Sequence, residues 1–257
     1  MIWGEAASPA LRGAPHGVAL WPIGATEQHG PHLPVDTDSR IAETVCRLAA
    51  GRAEGTAVLP TLAVGCSAAH TDRWPGTLAV LPRTLIGLVA EVATWIEASG
   101  WERLLLVNGH VGNVAPLRCA VDELRHTRAS LHAAVVNTWE LHTGVLAAFS
   151  DDAADWHANR AETSLLMVIA PELVGDRAAA DDPDRTRGTV FPWNVAATSR
   201  NGVTGRPSDA TAAEGRQLLD TMVTALALIA QRAATETAPL PRVSHPGPEL
   251  RVEEGGR

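Results

Sequence analysis

Hydrophobic and polar positions divide most of the chain into short apolar runs that alternate with longer stretches of helical periodicity. Four runs rich in Leu, Val and Ala predict buried strands at residues 16–23, 56–64, 103–107 and 131–137. Helical spacing of apolar residues predicts five helices at residues 40–52, 84–98, 115–128, 161–170 and 211–234. Such alternation is typical of a parallel sheet covered by helices on both faces. The pattern therefore predicts an α/β protein, a three-layer α/β/α fold with a mainly parallel sheet.

Two segments do not follow this alternation. Residues 176–205 are rich in Asp, Arg, Gly and Asn, and they predict a long excursion from the sheet. Residues 235–257 contain repeated prolines in a polar context, which favours a loose tail. We therefore expect one domain over residues 1–234, followed by a flexible C-terminal tail over residues 235–257.

The composition argues against several classes of protein. Of the 257 residues, 46% are hydrophobic and 19% are charged, which is typical of a globular chain rather than a disordered one. A net charge of −8 argues against a nucleic-acid partner, because phosphate neutralisation needs a basic surface. The longest apolar stretch, residues 218–230, is interrupted by Asp220, and the first residues lack a signal-peptide pattern. We therefore expect a cytoplasmic protein without a membrane partner.

Several common chemistries lack the residues that they need. The three cysteines are far apart and form no CxxC pair, so neither a zinc ribbon nor a disulfide framework is indicated. The chain contains no GxSxG, P-loop or GxGxxG motif. Because it contains no lysine, a Schiff base is also excluded.

The polar residues that could carry chemistry follow the ends of the predicted strands. In chain order they are Glu27, His29 and Asp38 after the first strand, His70 after the second, His110 after the third, and Trp139 and Glu140 after the fourth. The carboxyl ends of parallel strands share one edge of the sheet, and functional groups gather at that edge. We therefore expect these histidines and carboxylates to form one site.

A metal site is the chemistry that this set of residues favours. Glu27 and His29 are two positions apart, so in an extended segment their side chains share one face. Mixed sets of histidine and carboxylate suit Zn²⁺, Mn²⁺ or Fe²⁺ and leave positions open for water. Asp38, at the start of a predicted helix, could bridge two ions, although the same position also suits a helix N-cap.

His157 and Glu162 form a further polar cluster near the helix predicted at residues 161–170. Their spacing of five is poor for one face of a helix, so we expect His157 in the preceding loop and Glu162 on the first helical turn. A glutamate at that place could equally serve only to stabilise the helix dipole.

Four stretches of the chain resemble the creatininase family of metal-dependent amide hydrolases. They are GATEQHGPHLPVDTD at residues 24–38, HTDRWPGT at 70–77, NGHVGN at 108–113 and HANRAETS at 157–164. The resemblance implies a three-layer α/β fold, two divalent metal ions per subunit (Zn, Fe or Mn) and a homo-oligomer, a hexamer or similar assembly. It also implies a metal-ligand set of Glu27, His29, bridging Asp38, His110 and Glu162.

Departures from the family pattern bear on the substrate. Creatininase itself has a carboxylate two residues after the histidine of NGH, whereas this chain has Gly112, so Glu162 is expected to supply that ligand. Asn159 and Ala69 also replace a frequent Gly and a frequent Glu, and creatinine is therefore not the expected substrate. Residues 35–42, 161–174 and 200–215 resemble a subgroup, the mycofactocin-system peptidases, which release a modified C-terminal Val-Tyr dipeptide from a precursor peptide.

These observations lead to the hypothesis of metal-assisted hydrolysis of a C–N bond in a modified peptide. His157 is the candidate for moving the proton to the leaving amine. His70, Trp139 and Trp156 are expected to contact the substrate. Two alternatives stay open: hydrolysis of a small cyclic amide or formamide, and a non-catalytic metal-binding subunit.

Overall fold

The computed structural model describes residues 1–13, 17–128 and 130–240, and its centre is a four-stranded parallel sheet. The strands are β1 (Val18–Ile23), β2 (Thr56–Val58), β3 (Arg103–Asn108) and β4 (His132–Asn137), in the spatial order β2-β1-β3-β4. Every neighbouring pair is parallel, with Leu20 of β1 aligned to Leu105 of β3. All four strands therefore point their carboxyl ends at the same edge.

Seven α-helices accompany the sheet in the described residues. They are α1 (Thr37–Ala50), α2 (Pro82–Ala98), α3 (Val114–Thr127), α4 (Thr143–Ser150), α5 (Arg160–Ile169), α6 (Val195–Thr198) and α7 (Ala212–Thr235). The pleat of β1 explains the layers, because Val18 and Leu20 pack with α1, α5 and α7, whereas Ala19 and Trp21 pack with α2 and α3. The predicted three-layer α/β/α fold is confirmed.

The element boundaries differ from the predicted ones for local reasons. Strand β2 ends at Val58 rather than 64, because Pro60 has no N–H to continue the ladder, and the chain rejoins β1 only at Leu62. Helix α2 begins two residues early, with Pro82 in its first turn, where proline is tolerated. Helix α4 was not predicted. The predicted first strand began at His16, which lies outside the described residues.

Residues 176–205 form the expected excursion, with only the single turn α6 as regular helix. Buried Asp182 organises it by accepting hydrogen bonds from the Ser199 hydroxyl, the Arg200 N–H and the Arg185 guanidinium at 2.9, 2.7 and 2.6 Å. The excursion ends beside the carboxyl edge of the sheet, where Thr204 forms a bridge with His157. It therefore contributes a wall to the site described below.

Two further features complete the fold. Helix α7 ends at Thr235, and most of the predicted tail, residues 241–257, lies outside the described residues. Within the described part of the chain, no helix combines the length and the apolar character that crossing a membrane requires.

Candidate metal centre

The five residues predicted as metal ligands converge at the carboxyl edge of the sheet. They are Glu27 and His29 after β1, Asp38 in the first turn of α1, His110 after β3, and Glu162 in the first turn of α5. Each is at most 6% exposed. We call these five residues the candidate metal centre.

Their side chains form two groups of three that share Asp38. In one, His110 Nε2 lies 3.3 Å from Glu27 Oε2, and His110 Nδ1 lies 3.4 Å from Asp38 Oδ2. In the other, His29 Nε2 lies 3.3 Å from Asp38 Oδ1 and 3.8 Å from Glu162 Oε1. Within each group the possible ligand atoms lie within 4.8 Å of one another. Because Asp38 turns one oxygen to each group, it has the geometry of a bridging carboxylate.

Unpartnered buried atoms show that these residues are suited to binding cations. Glu27 Oε2, Asp38 Oδ2 and His29 Nε2 are buried and have no hydrogen-bond partner within the described residues. Leaving such polar groups unpaired costs free energy, and ionised carboxylates are buried only when paired or bound to metal. A set of imidazole and carboxylate donors suits Zn²⁺, Mn²⁺ or Fe²⁺.

The pKa values reflect the crowding of three carboxylates in a buried space. Burial raises the pKa of Glu27 to about 7, against the opposing effect of His110. Burial alone would lower the pKa of His110, but Glu27 and Asp38 outweigh it and raise that pKa to about 9. The protein without metal therefore holds protons where cations would otherwise neutralise the carboxylates.

Backbone and amide groups orient the two histidine ligands. His29 Nδ1 lies 3.1 Å from the carbonyl oxygen of Glu27, so it donates its proton there and leaves the Nε2 lone pair for the centre. The backbone N–H of His110 donates to Asn108 Oδ1 at 3.0 Å, and the side-chain amide of Asn108 donates to Asn137 Oδ1 at 2.9 Å. The ends of β3 and β4 thus hold the His110 loop in place.

The structure distinguishes helix capping from a position facing the centre for Asp38 and Glu162, two roles that the sequence left open. The N-cap of α1 is Asp36, so Asp38 lies inside the first turn and is not a cap. Glu162 caps its helix and also faces the centre. Its Oε2 accepts from the Asn159 N–H at 3.3 Å in a capping box, while its Oε1 faces His29. His157 lies in the loop before α5, as predicted.

The space around Gly112 is too small for the carboxylate that creatininase itself has at this position, which agrees with the prediction of Glu162 on α5 as the ligand. A Cβ atom at this position would lie 2.4 Å from the carbonyl oxygen of Cys66 and 2.5 Å from His110 Nε2. Neither neighbour can give way without moving the His110 ring. The loop after β3 therefore has no room for a side chain at Gly112, and Glu162 occupies the open side of the centre.

His70 and His157 lie beside the centre, and we call them the histidine pair. Their ring centroids are 4.3 Å apart, and Glu27 Oε1 lies 3.7 Å from His70 Nε2 and 3.6 Å from His157 Nδ1. Burial lowers the pKa of His70 to about 3 and that of His157 well below its ordinary value, with nearby histidines adding to both shifts. Both rings are therefore neutral at pH 7.

A cavity of about 250 Å³ opens over the centre and the histidine pair. Trp156 and Trp193 provide large apolar surfaces in its wall. Trp139, which the sequence predicts to contact the substrate, is 5% exposed and is not among the described residues that line the cavity. It packs edge-on against Trp156, with 5.7 Å between the ring centroids. Trp139 thus supports a wall residue from behind.

Sequence reasoning missed two residues of this site. Gln28 lies between Glu27 and His29, and the alternation argument placed it on the opposite face, yet its amide contacts both members of the histidine pair. Trp193 belongs to the excursion of residues 176–205, where no pattern indicated a role in the cavity. A larger cavity of about 650 Å³ lies elsewhere, beside β4 and the end of α7, and contains none of the candidate metal ligands.

Comparison with known proteins places these residues in context. Residues 3–229 match the family model described as "Creatininase: Creatinine amidohydrolase". A mycofactocin precursor peptide peptidase of Mycobacterium ulcerans is 38% identical over 222 residues, covering 79% of this chain and 80% of that protein. A creatinine amidohydrolase of Pseudomonas putida is 28% identical over 227 residues, covering 82% of this chain and 87% of that protein.

Solved structures share the same fold. A mutant creatininase of Zn-Zn type superposes with a TM-score of 0.76 at 26% identity, covering 91% of this chain and 98% of that one. A structure described as "Creatininase Mn" gives a TM-score of 0.75 at 25% identity, with 91% and 99% coverage.

Proposed function

The chain belongs to the creatininase family, and on that premise we propose that it is a dinuclear metal-dependent peptidase acting on a mycofactocin precursor peptide. The resemblance predicted from the four motifs is confirmed by the family model over residues 3–229. The observation that carries the dinuclear proposal is the sharing of Asp38, which gives one oxygen to each group of ligand atoms. The proposed metals are Zn, Fe or Mn.

The relatives support a peptide as the substrate. The protein from Mycobacterium ulcerans, 38% identical to this chain, is named a mycofactocin precursor peptide peptidase. We propose that this chain releases the modified C-terminal Val-Tyr dipeptide. The cavity supports this choice, because a volume of about 250 Å³ with Trp156 and Trp193 in its wall suits a short segment that carries an aromatic group.

The residues of the centre have separate tasks in this proposal. Glu27, His110 and Asp38 would hold one ion, and His29, Asp38 and Glu162 the other. Bound divalent cations polarise the scissile carbonyl and lower the pKa of a water molecule. Asn108 keeps the His110 loop against the end of β4, which fixes the direction of that ligand.

His157 is the proposed proton carrier. Its ring is buried and neutral, so it can take a proton from the attacking water at Nδ1 and transfer that proton to the leaving nitrogen. His70 and Trp156 line the same cavity and are the proposed substrate contacts. Trp139 supports Trp156, so its proposed part in substrate binding is indirect.

Hydrolysis of a small cyclic amide is the second candidate, favoured by the creatinine amidohydrolase that is 28% identical to this chain. The direct test mixes metal-loaded protein with the matured precursor peptide and identifies the products by mass spectrometry. Release of a C-terminal dipeptide supports the peptidase. An intact peptide together with turnover of a cyclic amide or formamide favours the second candidate, and metal binding without turnover of either favours a non-catalytic subunit.

Glu27→Gln and Asp36→Asn provide the matched variants for this test. Glu27 belongs to the centre, whereas Asp36 is a nearby carboxylate that pairs with Arg40 at the surface. Only Glu27→Gln should abolish product release. We further propose a cytoplasmic location. We also propose a homo-oligomer, hexameric or similar, and sedimentation analysis would measure this oligomeric state.

A further inference from the structure

The Gln28 side chain is held between backbone groups that fix its orientation. It is 4% exposed. Its Oε1 accepts from the Gly30 N–H at 3.0 Å, and its Nε2 donates to the carbonyl oxygen of Gly202 at 3.1 Å. A backbone N–H can only donate and a backbone carbonyl can only accept, so the oxygen and the nitrogen of the amide cannot be exchanged.

The proton on His157 follows from the same rule. His157 Nε2 lies 2.7 Å from the carbonyl oxygen of Gln28, so this nitrogen carries a proton. In the neutral ring, Nδ1 then holds the lone pair. The distance of 3.1 Å between His157 Nε2 and Gln28 Nε2 is consequently a contact between two donors rather than a hydrogen bond.

The proton on His70 follows from counting the donors of Gln28. The amide nitrogen has two protons, and one goes to the carbonyl oxygen of Gly202. His157 Nε2 cannot accept the other, so it goes to His70 Nδ1 at 3.1 Å. In neutral His70 the proton then lies on Nε2, which faces Glu27 Oε1 at 3.7 Å.

We infer that Gln28 is a positioning residue that fixes the Nε2-protonated tautomer in both members of the histidine pair. Because the two rings face Glu27 with different nitrogens, His70 presents a donor at Nε2 and His157 an acceptor at Nδ1. Glu27, His70 and His157 also lie close enough together to form a third set of metal ligands. With its proton on Nε2, His70 offers no lone pair to such an ion. The set would therefore handle protons, and the chain would hold two ions rather than three.

Gly202 connects this arrangement to the excursion of residues 176–205. A Cβ atom at Gly202 would lie 2.0 Å from Gln28 Oε1, and the backbone φ of +87° is one that side chains rarely adopt. Glycine at this position lets the backbone carbonyl reach the amide. The excursion thus supplies the acceptor that takes one of the two Gln28 protons and leaves the other for His70.

Solid-state NMR of zinc-loaded protein with ¹⁵N-labelled histidine tests the inference. His70→Gln and His157→Gln would assign the resonances. In the unsubstituted protein, the proton-bearing nitrogen should be Nε2 in both rings. A proton on His70 Nδ1, or a zinc content of three ions per chain, would overturn the inference. This spectrum needs no variant at Gln28, so it is decisive even if such variants fold poorly.

Gln28→Glu and Thr77→Val form the variant pair. The glutamate has almost the same shape but only accepts, so His70 should move its proton to Nδ1. The Thr77 hydroxyl also contacts Gln28 and His70, but only through their backbones. It accepts from the Gln28 N–H at 3.0 Å and donates to the His70 carbonyl oxygen at 3.3 Å. Its loss should leave both tautomers unchanged. An unaltered His70 tautomer in Gln28→Glu would refute the role of the amide.

The catalytic consequence rests on the proposed function. General acid–base catalysis contributes about 10²- to 10⁴-fold, so kcat for peptide hydrolysis should fall at least about 100-fold in Gln28→Glu, with KM nearly unchanged. Thr77→Val should keep at least about a third of kcat. If no peptide is hydrolysed by the unsubstituted protein, the proposed function fails, whereas the tautomer spectrum still decides the role of Gln28.

Discussion

Asp38→Asn removes a charged ligand from both halves of the candidate metal centre. The two Asp38 oxygens approach different histidines, at 3.3 Å to His29 and 3.4 Å to His110. Each ion therefore loses one charged oxygen, and the amide that replaces the carboxylate carries no charge. The change keeps the size of a side chain that is only 2% exposed, so it tests ligation rather than packing.

The expected loss of metal affinity follows from the direct contact that Asp38 would make with both ions. Removing a group that merely supports a ligand costs about 10- to 100-fold in metal affinity. A direct ligand should cost more, so we expect each ion to bind at least about 100-fold more weakly, equivalent to about 2.8 kcal/mol. Turnover should fall below detection at metal concentrations that saturate the unsubstituted protein.

Competition with a chelator of known affinity, followed by elemental analysis, measures both sites. Asp36→Asn is the control, since it changes the same residue type two positions earlier at a surface pair with Arg40. It should leave metal content unchanged. If Asp38→Asn retained two ions with affinities within about threefold of the original, the bridging role would be refuted.

Substitutions at Gly112, Asn159 and Asp182 test other parts of the structure, and a fourth at Gly87 serves as a control. Gly112→Ala places a Cβ against the imidazole of His110, a candidate metal ligand, and should weaken metal binding at least about tenfold by calorimetry. Gly87→Ala lies in open space within α2 and should instead stabilise the fold by about 0.5–1 kcal/mol. Asn159→Ala breaks the capping box and also removes the buried amide hydrogen bonds to the Phe149 carbonyl oxygen and Asp152. It should lower the free energy of unfolding by at least about 2 kcal/mol in urea, together with metal affinity, and equal metal affinity would contradict a link to Glu162. Burial alone would raise the pKa of Asp182, but the hydrogen bonds that its carboxylate accepts outweigh burial and lower that pKa. Ionised Asp182 therefore stabilises the fold above about pH 4, and this contribution is lost as pH falls through the lowered pKa. Asp182→Asn should therefore cost about 2 kcal/mol at pH 7 and progressively less below pH 4 by urea denaturation, and a cost independent of pH would contradict the assignment.

The position of the site was predictable from sequence because it depends on topology. Once four parallel strands are predicted, the residues that follow them must meet at one edge. The spacing of Glu27 and His29 then placed both side chains on one face, and the structure brings them into the two ligand groups. Asp38 could serve as a ligand or as a cap in the sequence, and only the three-dimensional position of Asp36 as the N-cap separates these roles.

Other features depend on contacts that no periodicity records. Gln28 contacts the histidine pair although simple alternation places it opposite Glu27 and His29. Its Oε1 also accepts from the N–H of Gly30, a residue with φ of +63°, and no periodicity in the sequence indicates this local conformation. Trp139 follows a strand end just as His110 does, yet it packs in the core behind Trp156. Strand-end position predicts proximity to the site, but it does not determine which way a side chain turns.

The excursion of residues 176–205 divides the site into two parts with different structural support. The candidate metal ligands lie after strand ends and on the first turns of α1 and α5, which belong to the packed three-layer core. The histidine pair relies in addition on the excursion, through the carbonyl oxygen of Gly202 and the backbone pairing of Thr204 with His157. Segments of low regular structure open locally at lower free energy than packed helices and strands. The proposed metal binding and the proposed proton transfer therefore have different structural support. We expect that a change in the length of this one segment would alter the reaction while metal binding is retained.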